Sequence, residues 1–146
     1  MKKKNVVVLT GAGMSAESGI STFRDAGGLW EKYRIEDVAT PEAFQANPKL
    51  VLDFYNARRK QLDEVEPNQG HLTLSRLQQW FNVHIITQNV DNLHERAGSK
   101  NVLHLHGELT KVRSTKYPEL IYDIGNKHIS IGDVCEKGSQ LRPHIV

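Results

Sequence analysis

A run of four apolar residues, Val6-Val-Val-Leu9, stops abruptly at Thr10-Gly-Ala-Gly13. A short unbroken β-branched run has the pattern of a fully buried strand, and glycines directly behind it permit a tight turn that larger side chains obstruct. Ser15 then opens what reads as a helical turn, so the backbone there can approach a pyrophosphate and present amide donors. Of the Gly-x-Gly-x-x-Gly fingerprint, the third position is Ala16, an allowed residue. No acidic residue in convincing context stands about 20 positions onward. Taken by itself, the stretch is also the pattern of a glycine turn with no ligand.

The 146 residues suffice for one domain or for a piece of a larger one. Nineteen basic and seventeen acidic residues leave a formal charge of +2 without a long block of either sign, so nucleic acid is not an implied partner. A mean hydropathy of -0.49, with no apolar run near the roughly 18 residues a bilayer requires, argues against a membrane partner. Met1-Lys-Lys-Lys ahead of the apolar run imitates a signal peptide, but four apolar residues fall short of the ~7 to 15 of a signal core, which favours a cytoplasmic chain. A single cysteine, Cys135, builds no disulfide framework and fits a reducing compartment.

Thr40-Pro41 and Asn47-Pro48 each place an N-cap before a proline preset for a first helical turn. In the second helix Leu50, Val51, Phe54, Ala57 and Leu62 recur on one face, while Asp53, Asn56, Arg59 and Lys60 fall elsewhere and Tyr55 and Arg58 lie beside that face. Residues 66–70 are turn chemistry, and Leu74, Leu77, Trp80 and Phe81 suggest a further amphipathic helix. A strand over 83–87, a short helix over 91–97 stopped by Gly98 and a strand over 102–105 ending at His106-Gly107 follow. Strands alternating with helices predict an α/β fold: a partial Rossmann-like parallel sheet with a small inserted subdomain. Its expected parts are a core over 1–110 with a helical insertion near 40–65, a reduced subdomain over 111–140, and a return into the sheet over 141–146.

The stretch Gly11-Ala-Gly-Met-Ser-Ala-Glu-Ser-Gly-Ile-Ser-Thr-Phe-Arg24 resembles the NAD-binding signature of the sirtuin family almost end to end. Thr87-Gln-Asn-Val-Asp-Asn-Leu-His94 resembles the sirtuin block lining the nicotinamide and ribose pocket, and Leu105-His-Gly107 resembles the segment carrying the catalytic histidine. The resemblance runs from about Val6 to Val146. It implies NAD as cofactor and acyl-lysine proteins as partners. Gly11, Ala12, Gly13, Ser15, Ala16, Glu17 and Arg24 would serve the phosphate and ribose side, and Phe23 would cover the nicotinamide. Gln88 would contact the nicotinamide ribose, and Asn89 and Asp91 would hold the carboxamide. His106 would be the general base, a role suited to an imidazole whose unperturbed pKa near 6.5 leaves much of it neutral at cellular pH.

Other readings of the same residues stand beside these. Asn89 and Asp91 can cap the following helix. Ser18, Ser21 and Thr22 can be loop residues, with Ser21 standing where the family usually has proline. His104 and His106, two apart on the expected strand, can face one side and join His94 as metal ligands. His71, His84, His128 and His144 read as surface or packing residues.

Tyr55 and Arg58 form a Tyr-x-x-Arg pair whose i, i+3 spacing lets both side chains reach one spot, and a guanidinium fork with a phenol matches a carboxylate. The plain alternative is a solvent-facing arginine beside an aromatic core residue. Their surroundings resemble the sirtuin branch that removes succinyl, malonyl and glutaryl groups, in which these two residues bind the acidic tail and alanine at the position of Ala39 leaves room for it. Desuccinylation or demalonylation is therefore expected over deacetylation. The competing expectations are a non-catalytic NAD or ADP-ribose binding module and a nicotinamide-dependent dehydrogenase, which leaves the 88–91 block and His106-Gly107 unexplained.

The chain departs from the family twice. Most sirtuins bind a structural zinc with two Cys-x-x-Cys pairs; here Ser114 and Tyr117 occupy the place of the first pair and Cys135 stands alone near the second. No zinc is expected, and packing of Leu120, Ile121, Tyr122, Ile129 and Ile131 is expected to hold the small subdomain instead. Family members also continue beyond the Arg142-Pro-His segment, so the chain is expected to be the first part of a sirtuin catalytic domain.

Overall fold

The computed structural model describes residues 2–21 and 32–146. Three parallel strands, β1 (Lys4–Thr10), β2 (Phe81–Thr87) and β3 (Val102–His104), form one sheet in the order β1-β2-β3. β1 and β2 run in step from Lys4 opposite Phe81 to Thr10 opposite Thr87, so both strands end level at one rim. Val83, Ile85 and Thr87 are buried on one face. The other face is open: Val7 and Leu9 are 64% and 66% exposed, and Leu103 and Leu105 are exposed with them. β1 is thus half-buried rather than the fully buried strand its β-branched run suggests, because period-2 alternation sends every second side chain to the uncovered face.

The helices begin where their caps place them. Ala43 N–H donates to Thr40 Oγ1 at 3.0 Å ahead of a short helix, Pro41–Ala46, and Leu50 N–H donates to Asn47 Oδ1 at 3.2 Å ahead of a long one, Pro48–Gln61. Numbered in chain order, α1 is Gly13–Ala16, α2 Ile35–Val38, α3 Pro41–Ala46, α4 Pro48–Gln61, α5 Gln69–Arg76 and α6 Leu93–Arg96. The helix expected through Leu74 to Phe81 ends earlier. α5 tightens into a 3-10 turn at Leu77–Gln79, Trp80 is 61% exposed, and Phe81 already belongs to β2. Likewise α6 spans only Leu93–Arg96 and is stopped by Gly98 at φ +104.

A second, antiparallel sheet follows, ordered β5-β4-β6, with β4 at Gly107–Ser114, β5 at Ile121–Asp123 and β6 at Leu141–Ile145. Residues 141–146 do not return to the parallel sheet; Leu141, Arg142 and Pro143 pair with Ser114, Arg113 and Val112 of β4. The main core lies between this sheet and α2 to α4, where Val38, Val51, Leu52, Phe54 and Tyr55 pack with Leu109, Val112 and Ile145. Each such burial contributes about 1.5–3 kcal/mol.

Asn56 and Arg59, placed by periodicity away from the apolar face, are buried. Arg59 Nε donates to the Leu109 carbonyl at 2.6 Å and Nη1 to Asn56 Oδ1 at 2.8 Å, while Asn56 Nδ2 donates to the Ile129 carbonyl at 2.8 Å and its Oδ1 accepts from Ile129 N–H at 3.0 Å. Burial brings the Arg59 pKa down to about 10. These bonds tie the small subdomain to α4, and within it Tyr122 donates to Glu136 at 2.8 Å and Gln140 to the Ser130 carbonyl at 3.0 Å. The expected apolar packing is therefore only partly present: Ile129 is buried, but Ile121 and Ile131 are exposed.

Candidate active site

The level ends of β1 and β2 create the site. Gln88 N–H donates to the Thr10 carbonyl at 3.0 Å, bringing the glycine turn after β1 against the 88–91 segment after β2, the rim at which open parallel sheets hold ligands. A Cβ at Gly13 would meet nothing within 4 Å, so the backbone of the turn is open to a bound group.

Side chains lock the two segments together. Asn89 Nδ2 donates to the Gly11 carbonyl at 2.9 Å and to Ser15 Oγ at 3.3 Å. Ser15 Oγ donates to Asp91 Oδ2 at 2.7 Å, and Asp91 Oδ1 accepts from Leu93 N–H at 3.0 Å. Asp91 thus fills the helix-starting role and the pocket-shaping geometry together. Ser15, Asn89 and Asp91 are all buried.

Two buried histidines, stacked edge to face with ring centroids 4.9 Å apart, stand behind this row. Asn68 N–H donates to His71 Nδ1 at 3.1 Å, so the ring proton sits on Nε2, which faces Ser15 Oγ at 3.4 Å. His94 Nε2 lies 2.9 Å from Thr10 Oγ1. Burial pushes both pKa values below the ordinary range, outweighing the pull of Asp91, so both rings are neutral near pH 7. His71, read from sequence as surface or packing, is in fact a site neighbour. Its only signal was a position three residues after the capping Asn68.

His104 does not join His106 on a strand. β3 ends at His104, and His106 stands in the turn before β4, exposed and lining the cavity. The turn requires Gly107, at φ +89, where a Cβ would fall on the His144 carbonyl of β6. His104 Nδ1 lies 2.8 Å from the Asn89 carbonyl and Nε2 2.7 Å from Glu95 Oε2, with Glu108 at 3.7 Å. Both ring nitrogens face acceptors, which calls for the doubly protonated imidazolium. Burial opposes that charge, but Glu95, the Asn89 carbonyl and Glu108 together outweigh it, and the His104 pKa lies above its ordinary value. The triad of His94, His104 and His106 is therefore not a metal site: His94 is engaged with Thr10, and His104 with Glu95.

A cavity of about 430 Å³ is lined by Ala12, Ser15, Gln88, Asn89, Asp91 and His106 together with Ala39, Tyr55 and Arg58. Arg58 lies with its guanidinium carbon 5.6 Å from the Tyr55 ring centroid and 5.8 Å from that of Phe54. Burial lowers the Arg58 pKa, while the Tyr55 hydroxyl and Asp91 act against it. Gly11 contributes its carbonyl to Asn89, whereas Gly13, Ala16 and Glu17 are exposed outside the lining. Phe23 and Arg24 lie outside the described residues.

Where the family's zinc would sit, Ser114 Oγ accepts from Tyr117 N–H at 3.1 Å, and the buried Cys135 thiol is hydrogen-bonded to Ser114. One thiol beside a hydroxyl is not a zinc donor set, so these residues do not fit the metal. Among the described residues the one cluster with metal-ligand spacing is Glu95, His104 and Glu108, already joined as ion pairs. No helix among the described residues is long and apolar enough to cross a membrane.

The family model described as the Sir2 family matches residues 11–146. A protein of Bacteroides thetaiotaomicron named NAD-dependent protein deacylase is 63% identical over 148 residues, covering 98% of this chain and 63% of the relative. A Helicobacter pylori protein of the same name is 59% identical over 143 residues, covering 98% and 61%. The structure of a mutant Sir2 homologue with ADP-ribose superposes with a TM-score of 0.87 at 44% identity, covering 99% of this chain and 59% of that one. A Sir2 homologue in complex with NAD gives 0.85 at the same identity, covering 99% and 57%. The chain thus spans about six-tenths of the length of the relatives it matches.

Proposed function

The chain belongs to the Sir2 family, and from that premise we propose that it serves the NAD-dependent removal of acidic acyl groups, succinyl and malonyl, from protein lysines. The supporting observation is one cavity of about 430 Å³ on which the nucleotide-side residues and the Tyr55–Arg58 pair converge. The names of its relatives support a deacylase, and the structures of its neighbours with NAD and ADP-ribose support the cofactor.

NAD would supply an electrophilic ribose carbon for the acyl oxygen, with nicotinamide as the leaving group, and one water would supply the oxygen and hydrogens needed to give free lysine and O-acyl-ADP-ribose. The open turn at Gly11 to Gly13 lets the phosphates approach the backbone. Asn89 and Asp91 hold the carboxamide, and their bonds to Gly11 and Ser15 keep them from swinging away when the ligand is absent. Gln88 faces the nicotinamide ribose. His106, in a turn of fixed backbone, would take the ribose hydroxyl proton so that this oxygen can attack the acyl carbon and accept the acyl group. Phe23 and Arg24 belong to the same reading as cover for the nicotinamide and as a phosphate contact.

In the same cavity, Ala39 leaves space, and Arg58 with the Tyr55 hydroxyl receives the tail carboxylate. A half-buried guanidinium pairs with a carboxylate more strongly than a fully exposed one, because the local dielectric is lower. A cytoplasmic setting is part of this reading, supported by the lone buried Cys135. Incubation with NAD and a succinyl-lysine peptide tests it by mass spectrometry. Nicotinamide release with loss of the acyl mass is expected; reduced cofactor would indicate a dehydrogenase, and binding without turnover a non-catalytic module.

A further inference from the structure

Behind Tyr55 the fold holds a second chamber, of about 440 Å³, that shares Ala39, Tyr55, Ile145 and Val146 with the first. Its charge comes from Arg113 of β4 and Arg142 of β6, which stand directly opposite one another in the ladder, so both side chains lie on the same face of the sheet. Like charges in cross-strand register repel, and burial pushes Arg142 below its ordinary pKa, with Arg113 adding to the effect.

Among the described residues neither arginine has a carboxylate partner. Arg113 Nη1 reaches only His144 Nδ1 at 3.4 Å, on a ring that burial and Arg113 hold below its ordinary pKa, so the arginine gains no opposite charge there. Arg142 lies over the Phe44 ring at 4.7 Å, and its buried Nε has no hydrogen-bond acceptor. A repelling pair with an unmatched buried donor, facing a chamber large enough for a side chain, calls for an anion.

We propose that this chamber is a second carboxylate subsite, in which Arg142 and Arg113 bind an acidic side chain of the substrate polypeptide close to the acylated lysine. The proposal rests on the reading that Tyr55 and Arg58 take the acyl tail. A succinyl or malonyl amide carries a single carboxylate, matched by Arg58 in the first chamber. The second anion is then not the acyl group, and the acylated lysine arrives as part of a chain whose neighbouring residues reach the adjoining space.

Fluorescence anisotropy on the full chain with NAD tests this with two labelled succinyl-lysine peptides that differ only in glutamates or glutamines flanking the lysine. The glutamate peptide binds about tenfold more tightly. Arg142→Met abolishes that preference and leaves the preference for succinyl over acetyl peptides intact, whereas Arg58→Met does the reverse. If circular dichroism shows Arg142→Met unfolded, Arg113→Met carries the same comparison. Equal binding of the two peptides, or a glutamate preference that survives both substitutions, overturns the subsite. A glutamate preference without any succinyl preference leaves the subsite standing and overturns the acyl assignment instead.

Discussion

Ser15 donates its one hydroxyl proton to Asp91 Oδ2 at 2.7 Å, and the hydroxyl oxygen faces two further donors, His71 Nε2 at 3.4 Å and Asn89 Nδ2 at 3.3 Å. Because that oxygen receives hydrogen bonds from behind, its proton has one direction left, toward Asp91. The pocket carboxylate is therefore oriented before any ligand arrives.

Asp91→Asn keeps the shape but can turn an amide donor toward that hydroxyl. The change is expected to cost about 1–3 kcal/mol, the usual penalty for a mismatched buried polar group. Thermal unfolding checks the stability loss, and peptide turnover is expected to fall at least about tenfold.

His104 gives a pH dependence of defined sign. Its pKa is raised in the folded chain, so the folded state holds the proton more tightly than the unfolded one. The stability it contributes is complete below the unfolded value of about 6.5 and is lost as pH rises through the raised folded value. His71 and His94, lowered by burial, act oppositely and on the other side of that value, reducing stability as pH falls from about 6.5 toward their lowered folded values. The informative quantity is therefore the difference in unfolding free energy between wild type and His104→Gln, which is expected to be largest near pH 6 and to shrink on the alkaline side.

Gly107→Ala places a methyl group on the His144 carbonyl at a φ of +89. Strain and clash together are expected to cost more than about 2 kcal/mol. A melting temperature unchanged from wild type would show that the β4–β6 contact gives way freely.

The local features were legible and the distant ones were not. Val6 to Leu9, the caps at Thr40 and Asn47, and the strand before Gln88 all announce themselves within a few residues, because propensity and capping act over one turn. Arg59 was misplaced because what buries it is the Leu109 carbonyl, fifty positions away in the chain. His71 acquires its role from Ser15, fifty-six positions distant, and periodicity carries no record of such a partner. Residues 141–146 looked like another strand and are one, but which sheet accepts them is settled by pairing with β4.

Arg58→Met removes the guanidinium while keeping an unbranched apolar stem. Turnover of a succinyl-lysine peptide is expected to fall about tenfold to a hundredfold, the worth of a charge-assisted bond, while acetyl-lysine turnover changes little. Equal losses on both peptides would mean that Arg58 serves the pocket as a whole rather than the acyl tail.

The most direct measurement is the ratio of kcat/KM for succinyl-lysine and acetyl-lysine versions of one peptide, with NAD saturating and nicotinamide as the readout. A cavity lined by Tyr55, Arg58 and Ala39 together with His106 predicts a ratio above about ten in favour of the succinyl peptide. A ratio at or below about one contradicts it.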